Sequence, residues 1–141
     1  MSLSALIWST ADLLRGDYKQ SDYGRIILPF TLLRRIECVL EPTRQDVIDE
    51  FEARKDLGIP LEAILTRKSK HSFYNKSNYT MKRLMADSNN IADNLKSYIN
   101  SFSANTREIF EKYDFENQID KLNDNDLLYM IVEKFGSFDF A

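Results

Sequence analysis

Four glycines and three prolines in 141 residues leave few places for the tight turns that a many-stranded sheet requires, so the chain is expected to be helical. The glycines, Gly16, Gly24, Gly58 and Gly136, stand alone, and none forms the glycine-rich turn through which a backbone approaches a nucleotide or S-adenosylmethionine. A single cysteine, Cys38, excludes an internal disulfide and is consistent with a reducing compartment. With His71 the only histidine, no zinc cluster and no Ser-His-Asp or Cys-His pair is legible, and His71 reads as a loop side chain. Ile26 to Leu33 is free of charge but spans only eight residues around Pro29, far short of the roughly 20 apolar residues that cross a bilayer. Met1 to Thr10 is apolar without the basic flank and small-residue cleavage site of a secretory signal, so the expected location is cytoplasmic and the sequons at Asn75 and Asn78 carry no meaning.

What is present fits one globular domain. Hydrophobic residues make up 43%, aromatics 12% and charged residues 29%, and a chain of this length buries about two-thirds of its unfolded surface. Apolar spacing predicts a first helix from Ser4 to Arg15, with Gly16 as its left-handed cap. Ser21 is a candidate N-cap for a second helix to about Leu40, carrying Tyr23, Ile26, Ile27, Phe30, Leu33, Ile36 and Leu40 at spacings of three and four. Leu28, Leu32 and Val39 add a second apolar flank, so this helix, about residues 22–40, is expected to lie centrally and to kink or break at Pro29.

Thr43 and Asp46 resemble a capping box for a third helix toward Leu57, closed by Gly58, and Pro60 suits the first position of a short fourth helix over Leu61 to Leu65. Lys68 to Asn78 reads as a loop. Thr80 is a candidate cap for a short helix through Leu84 and Met85. A stripe follows at Ile91, Leu95, Tyr98, Ile99 and Phe102, then Ser103 before Ile109, Phe110 and Tyr113, then a turn or two around Ile119 and Leu122. Asn123 with Asp126 is expected to cap a last helix through Leu128, Ile131, Val132 and Phe135. The expectation is an all-α, bundle-like single domain over 1–141 with seven or eight helices and no repeat.

Charge is unevenly distributed. Residues 1–62 carry 8 basic and 11 acidic side chains and residues 87–141 carry 5 and 11, whereas residues 63–86 hold Arg67, Lys68, Lys70, Lys76, Lys82 and Arg83 with no acidic residue. His71, Phe73, Tyr74 and Tyr79 are interleaved with them. Such a segment can grip phosphates while an aromatic such as Tyr74 stacks on a base, or it can be a solvated loop whose aromatics pack inward.

The remaining constellations are weaker. Counting Asp124 as position 1 of a calcium loop puts Tyr129 where glycine is needed and Phe135 where the bidentate glutamate is needed, so that pattern fails and helix capping is the reading. Arg34, Glu37 and Glu41 lie at spacings of three and four on one helix face, the pattern of an ion-pair face. No residue of the chain is assigned to catalysis, to a cofactor or to a metal.

The passage Ala11-Asp-Leu-Leu-Arg-Gly-Asp17, followed by Asp22-Tyr-Gly-Arg-Ile-Ile-Leu-Pro-Phe-Thr-Leu-Leu-Arg-Arg-Ile-Glu-Cys-Val-Leu-Glu-Pro42, resembles the N-terminal domain of the modification subunit of type I restriction-modification systems. Similarity continues through Phe73-Tyr-Asn75, Asn90 to Leu95, Arg107 to Phe110 and Glu133 to Phe135, nearly the whole chain. The resemblance implies a parent that transfers a methyl group from S-adenosylmethionine to N6 of adenine in double-stranded DNA, beside a specificity subunit and a restriction subunit. The family's cofactor loop and Asn-Pro-Pro-Phe/Tyr motif are not in this sequence, so the chain is expected to be a non-catalytic front domain, cut from a longer protein near Ala141. On this reading Arg67, Lys68, Lys70, Lys76, Lys82 and Arg83 supply phosphate contacts, Arg34 and Arg35 are candidates for partner contact, and Ile26, Ile27, Phe30, Leu33 and Ile36 maintain the fold. The rival expectation is a helical module that binds only protein.

Overall fold

Each helix forms where an apolar stripe meets a local stop signal, and the computed structural model, which describes residues 2–140, contains nine such segments. They are α1 (Leu3–Leu14), α2 (Gly24–Leu40), α3 (Arg44–Arg54), α4 (Glu62–Ser69), α5 (Met81–Leu84), α6 (Ile91–Asn100), α7 (Ala104–Lys112), α8 (Phe115–Asp124) and α9 (Leu128–Gly136). Eight of them have at least eight residues, α5 is a single turn, and short 3-10 turns precede α2, α3 and α6. No strand occurs among the described residues, and no helix there is long and apolar enough to cross a membrane.

The middle of the fold is α2. Ile26, Ile27, Pro29, Phe30, Leu33 and Leu40 are buried along it, and Ile36 packs against the same core. Pro29 cannot donate to the carbonyl of Arg25, yet the helix passes through it unbroken and bent. The Thr31 hydroxyl donates to the Ile27 carbonyl at 2.7 Å, a back-bond of the kind that accompanies a local bend. The second apolar flank is only partly covered: Leu32 packs against the core, but Leu28 is 55% exposed and Val39 38%, so α2 faces solvent at those positions rather than being enclosed all round.

Around Phe30 the core is aromatic. Its ring meets Phe115 edge-on at 5.0 Å and Phe135 at 5.7 Å, and Phe115 in turn meets Phe110 at 5.3 Å, which ties α2 to α7, α8 and α9. Such pairs add to area burial by about 1 kcal/mol each. Val47, Ile48 and Leu65 are buried outside this main cluster, where α3 and α4 pair as a hairpin against the body.

Several expected caps do not form. Thr43 caps nothing: its hydroxyl donates to the Ser69 carbonyl at 2.9 Å, closing the base of the α3–α4 hairpin, and α3 stops at Arg54 rather than reaching Leu57. Helix α4 begins after Leu61 and runs to Ser69, four residues beyond the expected end at Leu65, so Arg67 and Lys68 are helical and the loop is shorter. Ser21 lies in a 3-10 turn without capping α2, and Asn123 falls inside α8 with no part in starting α9. Thr80 does cap α5, its hydroxyl oxygen accepting from the Arg83 amide at 3.1 Å. At α1 the cap is Ser2, which accepts from the Ala5 amide at 3.0 Å.

Gly136, the last residue of α9, abuts α5. A methyl group there would sit 3.1 Å from Met81 Cβ and 3.7 Å from its carbonyl carbon. Met81 is held by its own amide, as described below, and has little room to withdraw. Gly136→Ala is therefore expected to lower the urea midpoint, by roughly 1 kcal/mol in stability, with overpacking outweighing the helix-propensity gain of alanine.

Candidate nucleic-acid interface

The acid-free segment from residue 63 to 86 is not a slack loop but a helix end, a strap and a single helical turn. Helix α4 delivers Arg67 and Lys68 in its last turn, where cations favour the negative end of the helix, and Lys70 closes it in a left-handed conformation at φ 63°. Residues 71–80 then lie across the corner between α6 and α7. The Ser69 hydroxyl sits 2.8 Å from the carbonyls of Thr66 and Phe73. Asn75, itself buried, donates to the Tyr98 carbonyl at 2.9 Å and accepts from the Ser77 amide at 2.8 Å. Main-chain bonds from Ser103 to Tyr74 and from Lys76 to Ser101 stitch the strap down, and Asn105 donates to the Ser72 carbonyl.

All six basic side chains are exposed, though not equivalently. Lys68 lies 3.9 Å from Glu50, Lys76 sits over the Phe51 ring at 5.1 Å, and Arg83 donates to the Asn78 carbonyl at 2.7 Å. Arg67, Lys70 and Lys82 have no ion partner or side-chain hydrogen bond among the described residues. The aromatics divide similarly. Phe73 and Tyr79 pack against the core, while the ring of His71 lies 5.7 Å from that of Phe73. Tyr74 is half-buried; burial first, then Glu62, raises its pKa, and Arg107 opposes them. It is seated against the body, rather than presented as a free stacking platform.

Beside the strap an open groove of about 850 Å³ is lined by Lys82 and Arg83 on one side and by Arg34, Cys38, Glu41 and Arg44 on the other, with Glu37 at its floor. Glu37 is 4% exposed and meets three donors. Its Oε1 accepts from the Met81 amide at 2.7 Å and from the Tyr98 hydroxyl at 3.2 Å, and its Oε2 accepts from Arg34 Nη1 at 2.9 Å. Arg34 Nε donates in turn to the Phe138 carbonyl at 2.7 Å. The ion pair expected from sequence forms, with Glu37 buried and Arg34 partly buried, and Arg34, read as a candidate partner contact, is engaged within the fold by Glu37 and the Phe138 carbonyl. Arg35 is exposed and lies over the Phe140 ring at 5.7 Å. Sequence spacing missed the role of Glu37 as a junction, although a signal existed: it occupies the apolar stripe between Leu33 and Leu40, at spacings of four and three, where a carboxylate must find partners.

Among the described residues the four glycines stand apart and do not form a glycine-rich turn. Gly16 and Gly58 have positive φ and nothing within 4 Å of an added methyl, as turn glycines do, while Gly136 is packed against Met81. Among the described residues no group of three or more His, Cys, Asp or Glu side chains is gathered to hold a metal ion.

The unequal positions of Arg34 and Arg35 predict unequal substitutions. Arg34→Ala strands Glu37 and is expected to cost about 3 kcal/mol by urea unfolding, whereas Arg35→Ala stays within about 0.5 kcal/mol. Tyr98 is wholly buried, and its pKa is pushed well above 10.0 by burial, and further by the Glu37 carboxylate. The folded protein thus keeps a proton that the unfolded chain releases near pH 10, so this contribution is complete below that pH and is lost as pH rises beyond it. Tyr98→Phe is expected to flatten the alkaline fall in stability, measured as urea midpoints from about pH 8 to about pH 11.

Compared with family models, the chain matches the HsdM N-terminal domain over residues 3–135. No curated protein and no solved structure matches it. The matched span reaches from the first residue of α1 to Phe135 near the end of α9, covering every element just described. The chain therefore belongs to the HsdM N-terminal domain family, the helical, non-catalytic front domain of the modification subunit of type I restriction-modification systems.

Proposed function

We propose that this helical domain holds duplex DNA by its phosphates and contacts the specificity subunit, within a modification complex whose adenine-N6 methyl transfer from S-adenosylmethionine is carried out outside the residues of this chain. The observation that supports the reading is the exposure, on an acidic body, of six cations from one acid-free segment, of which Arg67, Lys70 and Lys82 are not engaged by other side chains. Phosphate contacts of this kind position a protein without reading sequence. The placement of these cations on α4, its cap and α5 favours the same reading, because side chains carried on ordered backbone lose less conformational freedom on binding.

A module that binds only protein is the second reading, and the first helix favours it. Trp8 is 68% exposed there, beside Leu3 at 39% and Ile7 at 36%, apolar surface of the sort that protein partners cover.

Salt dependence separates the two. Replacing Arg67, Lys70 and Lys82 together by glutamine leaves every bonded contact of the fold in place. It is expected to flatten the dependence of log affinity on log salt for duplex DNA by about 2 to 3 units in the complex with the specificity subunit. An unchanged affinity and slope would remove these residues from the DNA contact. Loss of subunit association with DNA affinity of the preformed complex intact would favour the protein-only reading.

A further inference from the structure

We propose that one buried water molecule is bound as a fixed part of this fold, at the joint between the α3–α4 hairpin and the body. A cavity of about 10 Å³ lies there, lined by Glu37, Thr43, Arg44, Asn75, Tyr79 and Tyr98 together with smaller and apolar neighbours. That volume corresponds to about one water. Arg44, the first residue of α3, brings the donors. Its Nε and Nη1 are both buried without a hydrogen-bond acceptor, and the nearest carboxylate oxygen, on Glu41, is 3.5 Å from Nε and out of hydrogen-bond alignment. Guanidinium N–H groups cannot be deprotonated away, so leaving them unmet in the interior carries the full desolvation penalty.

Charge and size choose among occupants. A cation would face the guanidinium groups of Arg44 and of Arg34, which is paired to Glu37 at the same junction. An anion would face the Glu37 carboxylate, and chloride and bromide are larger than the water-sized space. A water molecule accepts from Arg44 and donates to oxygens on the opposite wall, where Glu37, Tyr98 and Asn75 supply acceptors. With two hydrogens to donate, it would join α3 to two of the three elements α2, α6 and the strap. The hairpin that carries Arg67 and Lys68 would then be set against the body by a polar joint as well as by its apolar contact.

The 141-residue chain, crystallised at high resolution, is expected to show a single well-ordered peak about 3 Å from an Arg44 side-chain nitrogen and from at least one of the Glu37, Tyr98 or Asn75 oxygens. In solution, magnetisation transfer from water to the Arg44 Nε proton is expected with the sign of a long-lived bound water. In Arg44→Met both signals disappear. A cavity without density in the wild type, an Arg44 turned to bond Glu41 directly, or an anomalous peak from crystals grown in bromide would each overturn the proposal. Should Arg44→Met fail to fold, the wild-type density and cross-peak still decide.

Discussion

One carboxylate taken out of water organises much of this domain. Burying Glu37 would cost several kcal/mol without partners, and the fold supplies three from distant parts of the chain: the Met81 amide, the Tyr98 hydroxyl and the Arg34 guanidinium. Each partner fixes an element. The Met81 bond holds the start of α5 against α2, and so determines where Lys82 and Arg83 emerge. The Tyr98 bond sets α6, and the second bond of Arg34, to Phe138, draws the residues after α9 across the same helix. Hydrophobic burial drives the collapse, but an apolar stripe alone would allow neighbouring helices to slide. A charge that must be met by three particular groups does not.

The sequence made the helical class, the central helix and most of its inward residues legible, because these depend on apolar spacing within one segment. Ile26, Ile27, Phe30 and Leu33 are buried as their period implies. What spacing could not convey was the identity of the neighbour. Leu28 and Val39 are apolar yet exposed, while Leu32 on the same flank is packed against the core. Thr43 has the form of a cap, but its hydroxyl makes no cap bond and donates instead to a carbonyl 26 residues away. Arg34 and Arg35 are indistinguishable in the sequence; the carbonyl that engages Arg34 is 104 residues distant.

The basic segment was conspicuous as charge and misleading as structure. Polar, basic residues without periodicity read as a loop, whereas Thr66 to Ser69 continue a helix begun by better-patterned residues, and the rest is bonded to α6 and α7 through Asn75, Ser103 and Asn105. Its aromatics turned inward because the corner they cover needs apolar cover. The cations remained outside because burying them would need partners that the acid-free segment lacks. Inward aromatics and outward cations follow from the same composition, which explains why the bland and the functional readings of the segment describe different faces of one strap.

Helix α4 ends on Lys70 at φ 63°, a conformation in which glycine is at ease and other residues are strained by about 1 kcal/mol or more. A glycine at this turn would relax the main chain and delete a cation from the exposed surface. The chain, sparing with glycine throughout, keeps the lysine. Position 70 is thus a point where thermodynamic ease and surface charge pull in opposite directions, and a variant selected purely for heat resistance would be drawn to change it.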